Sequence, residues 1–360
     1  MCACYNPATN MASPSAQTQP RQRPYALILL IFVAYVALGL PDGLLGVGWP
    51  SIRHDFGIPI DSLGYLLFVT LTGYITSSFL SGPLTARMGV GRLLMLSCLL
   101  TGLGLIGYTL VPQWWMMVAL GTLAGLGAGA IDTALTAYVA KHFGPGLMQW
   151  LHASFGVGVT IGPLLMTYFL TNAHSWRLGY LVVGGFQLLL ALVFSLTLFL
   201  WRTQPVLDAN GADETGPVEN PSLGRTLSMG SAWLGGMLFF FYVGSEVLVG
   251  TWTFSLLTEA RGVPEATAGL ITGSYWFTFT IGRILGGLVA HRLSLQKLVG
   301  GCIIVALLGA LLLLWDPFAY ASVLAVALIG FAVAPIYPGL MSGIAQRVGL
   351  AHTENVVGIQ

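Results

Sequence analysis

Charge is what this chain has least of. Only 8% of its 360 residues are Asp, Glu, Lys or Arg, against 56% hydrophobic, and the mean hydropathy is +0.81. Soluble domains carry about 25% charged residues, so this chain lacks the polar surface that a water-soluble particle needs. A net charge of +1 offers no basic face to nucleic acid. Cysteine is scarce as well: Cys2, Cys4, Cys98 and Cys302 make no disulfide framework. The Cys2-Ala-Cys4 spacing is wrong for a zinc pair and no His-rich segment follows, so no metal is expected. The Gly-x-x-x-x-Gly-Lys-Ser/Thr loop that cradles phosphates is missing, as is any hydrolase or kinase signature. The chain is therefore read as a non-enzyme with no cofactor.

What is present is long apolar sequence. Ten runs of roughly 20 residues lie at about 25–49, 62–86, 93–111, 115–140, 148–171, 178–201, 231–257, 267–290, 298–315 and 319–345. Each is long enough to cross a bilayer, and inside lipid each must be a helix, because the backbone has no water to bond. A barrel is excluded, since its strands alternate apolar and polar residues. The expectation is an all-α, multi-pass membrane protein. Residues 1–23 read as a disordered tail rich in Pro, Ser, Gln and Asn. The tail has no secretory cleavage site, and the first apolar run is too long for a signal peptide. Met11 is an alternative start.

Lys and Arg set orientation. One set of connections holds Arg21, Arg23, Arg87, Arg92, Lys141, Arg202, Arg225, Arg292, Lys297 and Arg347, and the opposite set only Arg53, Arg177 and Arg261. This places the amino terminus in the cytoplasm, with the protein, a monomer, in the cell (inner or plasma) membrane. Trp114 and Trp115 read as interface anchors. The polar, Pro- and Gly-containing stretch 203–228 reads as a cytoplasmic linker.

The chain repeats itself. A shift of 205 residues pairs Gly64 with Gly269, Gly82 with Gly287, Arg87 with Arg292, Arg92 with Lys297, Gly125 with Gly330 and Ile131 with Ile336. A shift of 204 pairs Asp42 with Glu246 and Gly46 with Gly250. The expected organisation is a six-helix half over 24–202, the linker, and a second half over 229–360. By that shift the second half would run to about residue 406, so helices eleven and twelve are read as lacking, with a genuine ten-span protein as the alternative.

Gly82-Pro-Leu-Thr-Ala-Arg87-Met-Gly89-Val-Gly91-Arg92 resembles the Gly-x-Leu-Ala-Asp-Arg-x-Gly-Arg-Arg/Lys loop of the major facilitator superfamily. Gly282-Arg283 through Gly287 to His291-Arg292 is its counterpart. The resemblance implies a loop that steadies one conformation, formed here by Gly82, Arg87, Gly89, Arg92, Gly287 and Arg292. Ala86 and His291 stand where the family has Asp, which weakens that latch. Several segments are similar to the fucose permease-like branch, the fucose–galactose–glucose proton symporters. These are Gly39-Leu-Pro-Asp42-Gly43, Gly127 to Tyr138 around Asp132, His152 to Gly158, Tyr242-Val-Gly-Ser-Glu246 with Trp252, and Ala334-Pro-Ile-Tyr337-Pro338.

Charges inside spans are costly and mark substrate or proton pathways. Asp42 and Asp132 are the candidate proton-coupling pair, a role that the resemblance also implies. Pro41 and Gly43 beside Asp42 predict local unwinding. Candidate substrate-binding residues are Glu246, Arg283, His152, Trp252, Trp276, Tyr242 and Gln187. Each has a plainer reading. Glu246 and Arg283 can form a buried ion pair, His152 can be a helix-start residue, the aromatics can be packing, and Gln187 can bond a neighbouring helix. The reading is a secondary transporter working by alternating access, coupling protons to a sugar or similar polar solute. A proton-antiport exporter of drugs or metabolites, and a non-transporting sensor, are the alternatives.

Overall fold

The computed structural model describes residues 25–143, 145–201, 223–289, 294–318, 320–342, 344–348 and 356. The tail, Arg202 with most of the linker (203–222) and most of the last residues lie outside these. Every element among the described residues is helical. The first six long helices are α1 (Tyr25–Phe56), α2 (Leu63–Met88), α3 (Val90–Leu110), α4 (Trp114–His142), α5 (Pro145–Ala173) and α6 (Trp176–Leu196). A short α7 (Leu223–Leu227) occupies the end of the stretch expected as linker. Then follow α8 (Gly230–Ser255), α9 (Glu265–Val289), α10 (Leu295–Trp315), α11 (Ala321–Val333), α12 (Ile336–Ser342) and α13 (Ile344–Val348).

Nine helical stretches among the described residues are long and apolar enough to cross a membrane. The expected eighth span, α9, is not among them, although it is 25 residues long. Arg283 and a series of Ser and Thr residues lower its hydropathy. The expected tenth span is also not one helix: it breaks at Ala334-Pro335 into α11 and α12, where Pro335 has no amide hydrogen to continue the helical ladder. Helix α1 departs from expectation in the other direction. It continues through Pro41 and Pro50 to Phe56, so the unwinding predicted at Asp42 does not occur. Gly43 serves packing instead: a Cβ there would meet the Pro163 ring at 2.6 Å and the Val159 carbonyl at 2.7 Å. Arg53 and His54 in the last turn complement the helix dipole beyond the apolar stretch.

Helices pack as α1 on α5, α2 on α4, α3 on α4 and α6, α9 on α11, and α10 on α11, with α5 on α9 and α1 on α8 joining the two groups. Small residues allow the close approach. A Cβ at Gly125 would lie 2.0 Å from the Thr70 carbonyl oxygen, and one at Gly330 2.3 Å from that of Tyr275. Both pairs are related by the same 205-residue shift, so the sequence repeat is a packing repeat at this contact. Two apolar clusters fill the bundle, one around Trp49, Trp114 and Trp176 and one around Tyr35, Leu94 and Leu135. Trp114 is thus a core residue, 6% exposed and stacked near Trp49, whereas Trp115 is exposed as an interface anchor would be.

Candidate functional site

Asp132 sits at the meeting point of three helices. Gly129, one turn earlier on α4, lets α2 come so close that a Cβ would lie 2.1 Å from the Tyr74 carbonyl oxygen. That approach carries the Tyr74 hydroxyl onto Asp132 Oδ2, to which it donates. On α1, Tyr35 is 1% exposed and donates to Asp132 Oδ1 at 2.6 Å. Its oxygen is also 2.5 Å from Thr136 Oγ1, one turn along α4. His152 on α5 presents its ring to Tyr35, with centroids 6.0 Å apart and planes at 81°. Asp42 follows Tyr35 by seven residues on α1, so the two share a face. Its side chain is solvent-exposed although it lies mid-helix, and it stands within electrostatic range of Asp132 and Glu246.

Arg283 of α9 occupies the other group of helices. Its guanidinium lies over the Phe279 ring, 4.6 Å from the centroid, and over that of Tyr337, 5.4 Å away. Such stacking stabilises a partly desolvated cation. One Arg283 nitrogen is 3.5 Å from the Tyr242 hydroxyl, a long contact, and its buried Nε has no partner. Glu246, one turn beyond Tyr242, shares a field with Arg283 without a contact ion pair. Among the described residues the three ion pairs are Arg53–Glu259, Arg177–Asp55 and Arg261–Asp316, away from this centre. The reading of Glu246 and Arg283 as a closed buried pair is therefore corrected. Arg283 instead keeps its Nε without a partner among the described residues.

The internal repeat relates the two constellations. The 205-residue shift carries Asp132 onto Tyr337 and Tyr74 onto Phe279, and the 204-residue shift carries Tyr35 onto Phe239. Phe239 and Tyr337 pack edge to face at 5.5 Å. Where the first group builds a phenol-bonded carboxylate, the second builds an aromatic cage around a cation.

The remaining candidates scatter. Trp276 is 6% exposed, packs against Gly250, Tyr275 and Phe279, and has an unpartnered indole nitrogen. Trp252 is half-buried against the larger apolar cluster. Gln187 donates to the Ala37 carbonyl at 2.8 Å, tying α6 to α1, and its Oε1 is unpartnered. Gly82, Arg87 and Arg92 are exposed around the α2–α3 turn, where Gly89 has a φ of 82°, and no side chain caps the start of α3. Gly287 lies in the last part of α9, and Arg292 is outside the described residues. No group of three or more His, Cys, Asp or Glu among the described residues is arranged to hold a metal.

Tyr35, Tyr74 and Thr136 were not candidates by sequence. Uncharged residues in an apolar helix carry no cost that would mark them. Their one legible signal is position, since Tyr35 shares the face of Asp42 and Thr136 lies one turn from Asp132.

The model of the Major Facilitator Superfamily matches residues 31–360, nearly the whole chain and every residue of both constellations. The chain belongs to the major facilitator superfamily. Membership places it among multi-pass membrane transporters rather than enzymes. Within the superfamily it is 23% identical over 286 residues to the Bypass of stop codon protein 6 of Saccharomyces cerevisiae, covering 74% of this chain and 57% of that one. The chain thus spans little more than half the length of that relative. It is 24% identical over 360 residues to the human Sodium-dependent glucose transporter 1, covering 88% of this chain and 67% of the relative. The crystal structure of a D-xylose-proton symporter superposes with a TM-score of 0.67 at 16% identity, over 93% of this chain and 88% of that one, which shows the shared fold.

Proposed function

We propose that this superfamily member is a proton-coupled transporter of a sugar or similar small polar solute, working by alternating access. The observation that carries the reading is the Asp132 carboxylate. It lies in a membrane helix, is bonded by Tyr35 and Tyr74, and has no contact cation among the described residues. A carboxylate locked to Arg or Lys stays ionised, whereas one held only by hydroxyls can take up and release a proton. Asp42, exposed nearby, is the second site of the pair. On the other side, Arg283 with its free Nε, Tyr242 and the Tyr337 ring supply donors and an aromatic face for solute hydroxyls. The human Sodium-dependent glucose transporter 1 and the D-xylose-proton symporter, both named for sugars, support the solute class.

In this reading the helices before the linker and those after it are two halves that rock around the centre. The amino terminus and the Arg87–Arg92 loop face the cytoplasm of the cell membrane, as the distribution of cations favours. Proton binding at Asp132 or Asp42 favours the solute-binding state, and release on the cytoplasmic side resets it.

The test is uptake of a labelled sugar panel into proteoliposomes carrying the chain, under a proton gradient and separately under a sodium gradient. Accumulation under the proton gradient alone, lost in Asp132→Asn, is the expected result. Accumulation driven only by sodium, or proton-driven accumulation unchanged in Asp132→Asn, overturns the coupling assignment.

A further inference from the structure

The hydrogen bonds around Asp132 are reversible in direction. A tyrosine hydroxyl is both donor and acceptor and, with an ordinary pKa of about 10, keeps its proton at neutral pH. While Asp132 is ionised, Tyr35 donates to Oδ1 and Tyr74 to Oδ2, and the Thr136 hydroxyl, 2.5 Å from the Tyr35 oxygen, donates to it. When a proton from bulk water adds to Oδ1, the new carboxylic acid O–H donates to the Tyr35 oxygen. The Tyr35 O–H then turns to the Thr136 oxygen, and Tyr74 continues to donate to Oδ2. One O–H bond forms at Oδ1 as one breaks in the hydronium that delivers the proton, and both Asp132 oxygens and the Tyr35 and Tyr74 oxygens keep a partner in each state. An arginine or lysine in place of either phenol would allow only the ionised state, and a phenylalanine would leave a carboxylate oxygen unpaired, at the full desolvation cost. Gly125 and Gly129 hold α2 at close approach to α4, which keeps Tyr74 beside Asp132, and the Tyr35 hydroxyl ties α1 to the same carboxylate.

We propose that Tyr35, Tyr74 and Thr136 are positioning residues that hold the Asp132 carboxylate so that it loads and unloads the transported proton without leaving a buried group unpaired. The proposal rests on the reading of Asp132 as a proton site. The other titratable groups around it are Asp42 on α1, His152 on α5, and Tyr337 on α12 with Arg283 behind it on α9. Each stays in place when one phenol oxygen is removed.

The experiment is the pH dependence of proton-driven sugar uptake in proteoliposomes for Tyr74→Phe, Tyr35→Phe, Thr136→Val and Asp132→Asn. Losing a donor to the carboxylate favours its protonated form. The alkaline limb of the profile should therefore move upward by about one pH unit, a tenfold lower proton requirement, in each Phe variant. The Thr136→Val shift is in the same direction and smaller. A merely structural defect lowers uptake at every pH and leaves the midpoint in place, and that result overturns the proposal. Should Tyr35→Phe not fold, the half-buried Tyr74 decides. The carboxylic C=O band of the purified protein, absent from Asp132→Asn, should change frequency in Tyr74→Phe, and an unchanged band overturns the cradle. If Asp132→Asn itself retains coupling, the proton-site reading falls. If only the Phe variants behave as parent, the cradle falls and the proton site stands.

Discussion

Arg53, in the last turn of α1, donates to both carboxylate oxygens of Glu259, 206 residues later, at the far end of the helix that continues α8. It is the one ion pair among the described residues that joins the first six long helices to the later ones. Directly beneath it, Gly46 of α1 faces the carbonyls of Gly250 and Thr251, where a Cβ would come within 2.8 and 2.9 Å. The two helix groups are therefore fastened at this end by a charge pair and a backbone contact. The side chains of the pair are 31% and 28% exposed, so its worth is modest, about 1 kcal/mol or less. If the protein alternates between two states as proposed, even that is enough to move the balance about fivefold.

Breaking the pair should free this end. In Glu259→Gln and Arg53→Gln, a spin-label pair placed across α1 and α8 near the Arg53 end should show a larger population of long distances, by about fivefold at most. The exchange Arg53→Glu with Glu259→Arg should return the distribution toward the parent. A distribution that is the same in all variants excludes a role for the pair in holding this end closed.

Gly129 makes a sharper prediction because its neighbour is backbone. Gly129→Ala must push α2 away from α4, since the new Cβ would lie 2.1 Å from the Tyr74 carbonyl oxygen. Overpacking of this kind costs about 1–3 kcal/mol. The variant should lose thermal stability in detergent, and because Tyr74 moves with its carbonyl, it should also shift the pH profile of uptake. Gly185→Ala is the control, since nothing lies within 4 Å of a Cβ there, and it should match the parent in both measurements.

The fold was legible because a bilayer leaves the backbone one economical solution, and apolar runs announce it directly. The repeat was legible because Gly125 and Gly330 are glycines for one packing reason. What misled was local chemistry read without neighbours. Pro41 and Gly43 predicted an unwound helix, yet α5 packs so closely against Gly43 that α1 stays continuous. Arg283 and Glu246 invited pairing, yet Phe279 and Tyr337 provide the cation with a different bed. Tyr35 and Tyr74 were invisible because a phenol costs little in an apolar helix, and only the approach of α2 to α4 at Gly129 reveals what it bonds.

The bed under Arg283 distinguishes a binding role from a simple positive charge. Lysine keeps the charge but has no planar face to lie on Phe279 and Tyr337 and no Nε fork. Arg283→Lys should therefore weaken solute binding by about tenfold or more, as lost charge-assisted hydrogen bonds imply, with the protein still folded. Isothermal titration with the transported sugar measures this. Equal affinity in Arg283→Lys would mean that Arg283 contributes only charge to the centre.

Gln187 separates a solute contact from a structural strut. Its amide nitrogen is spent on the Ala37 carbonyl, and it is 2% exposed. Gln187→Leu removes that bond and the unpartnered Oε1 together, so part of the lost hydrogen bond is offset by relief of a buried unpaired oxygen. A strut predicts a change in melting temperature in detergent with the sugar KM unaltered. A solute ligand predicts the reverse, a raised KM at unchanged stability. The bond to Ala37 favours the first outcome, since a side chain already holding two helices together is poorly placed to release its donor to a passing sugar.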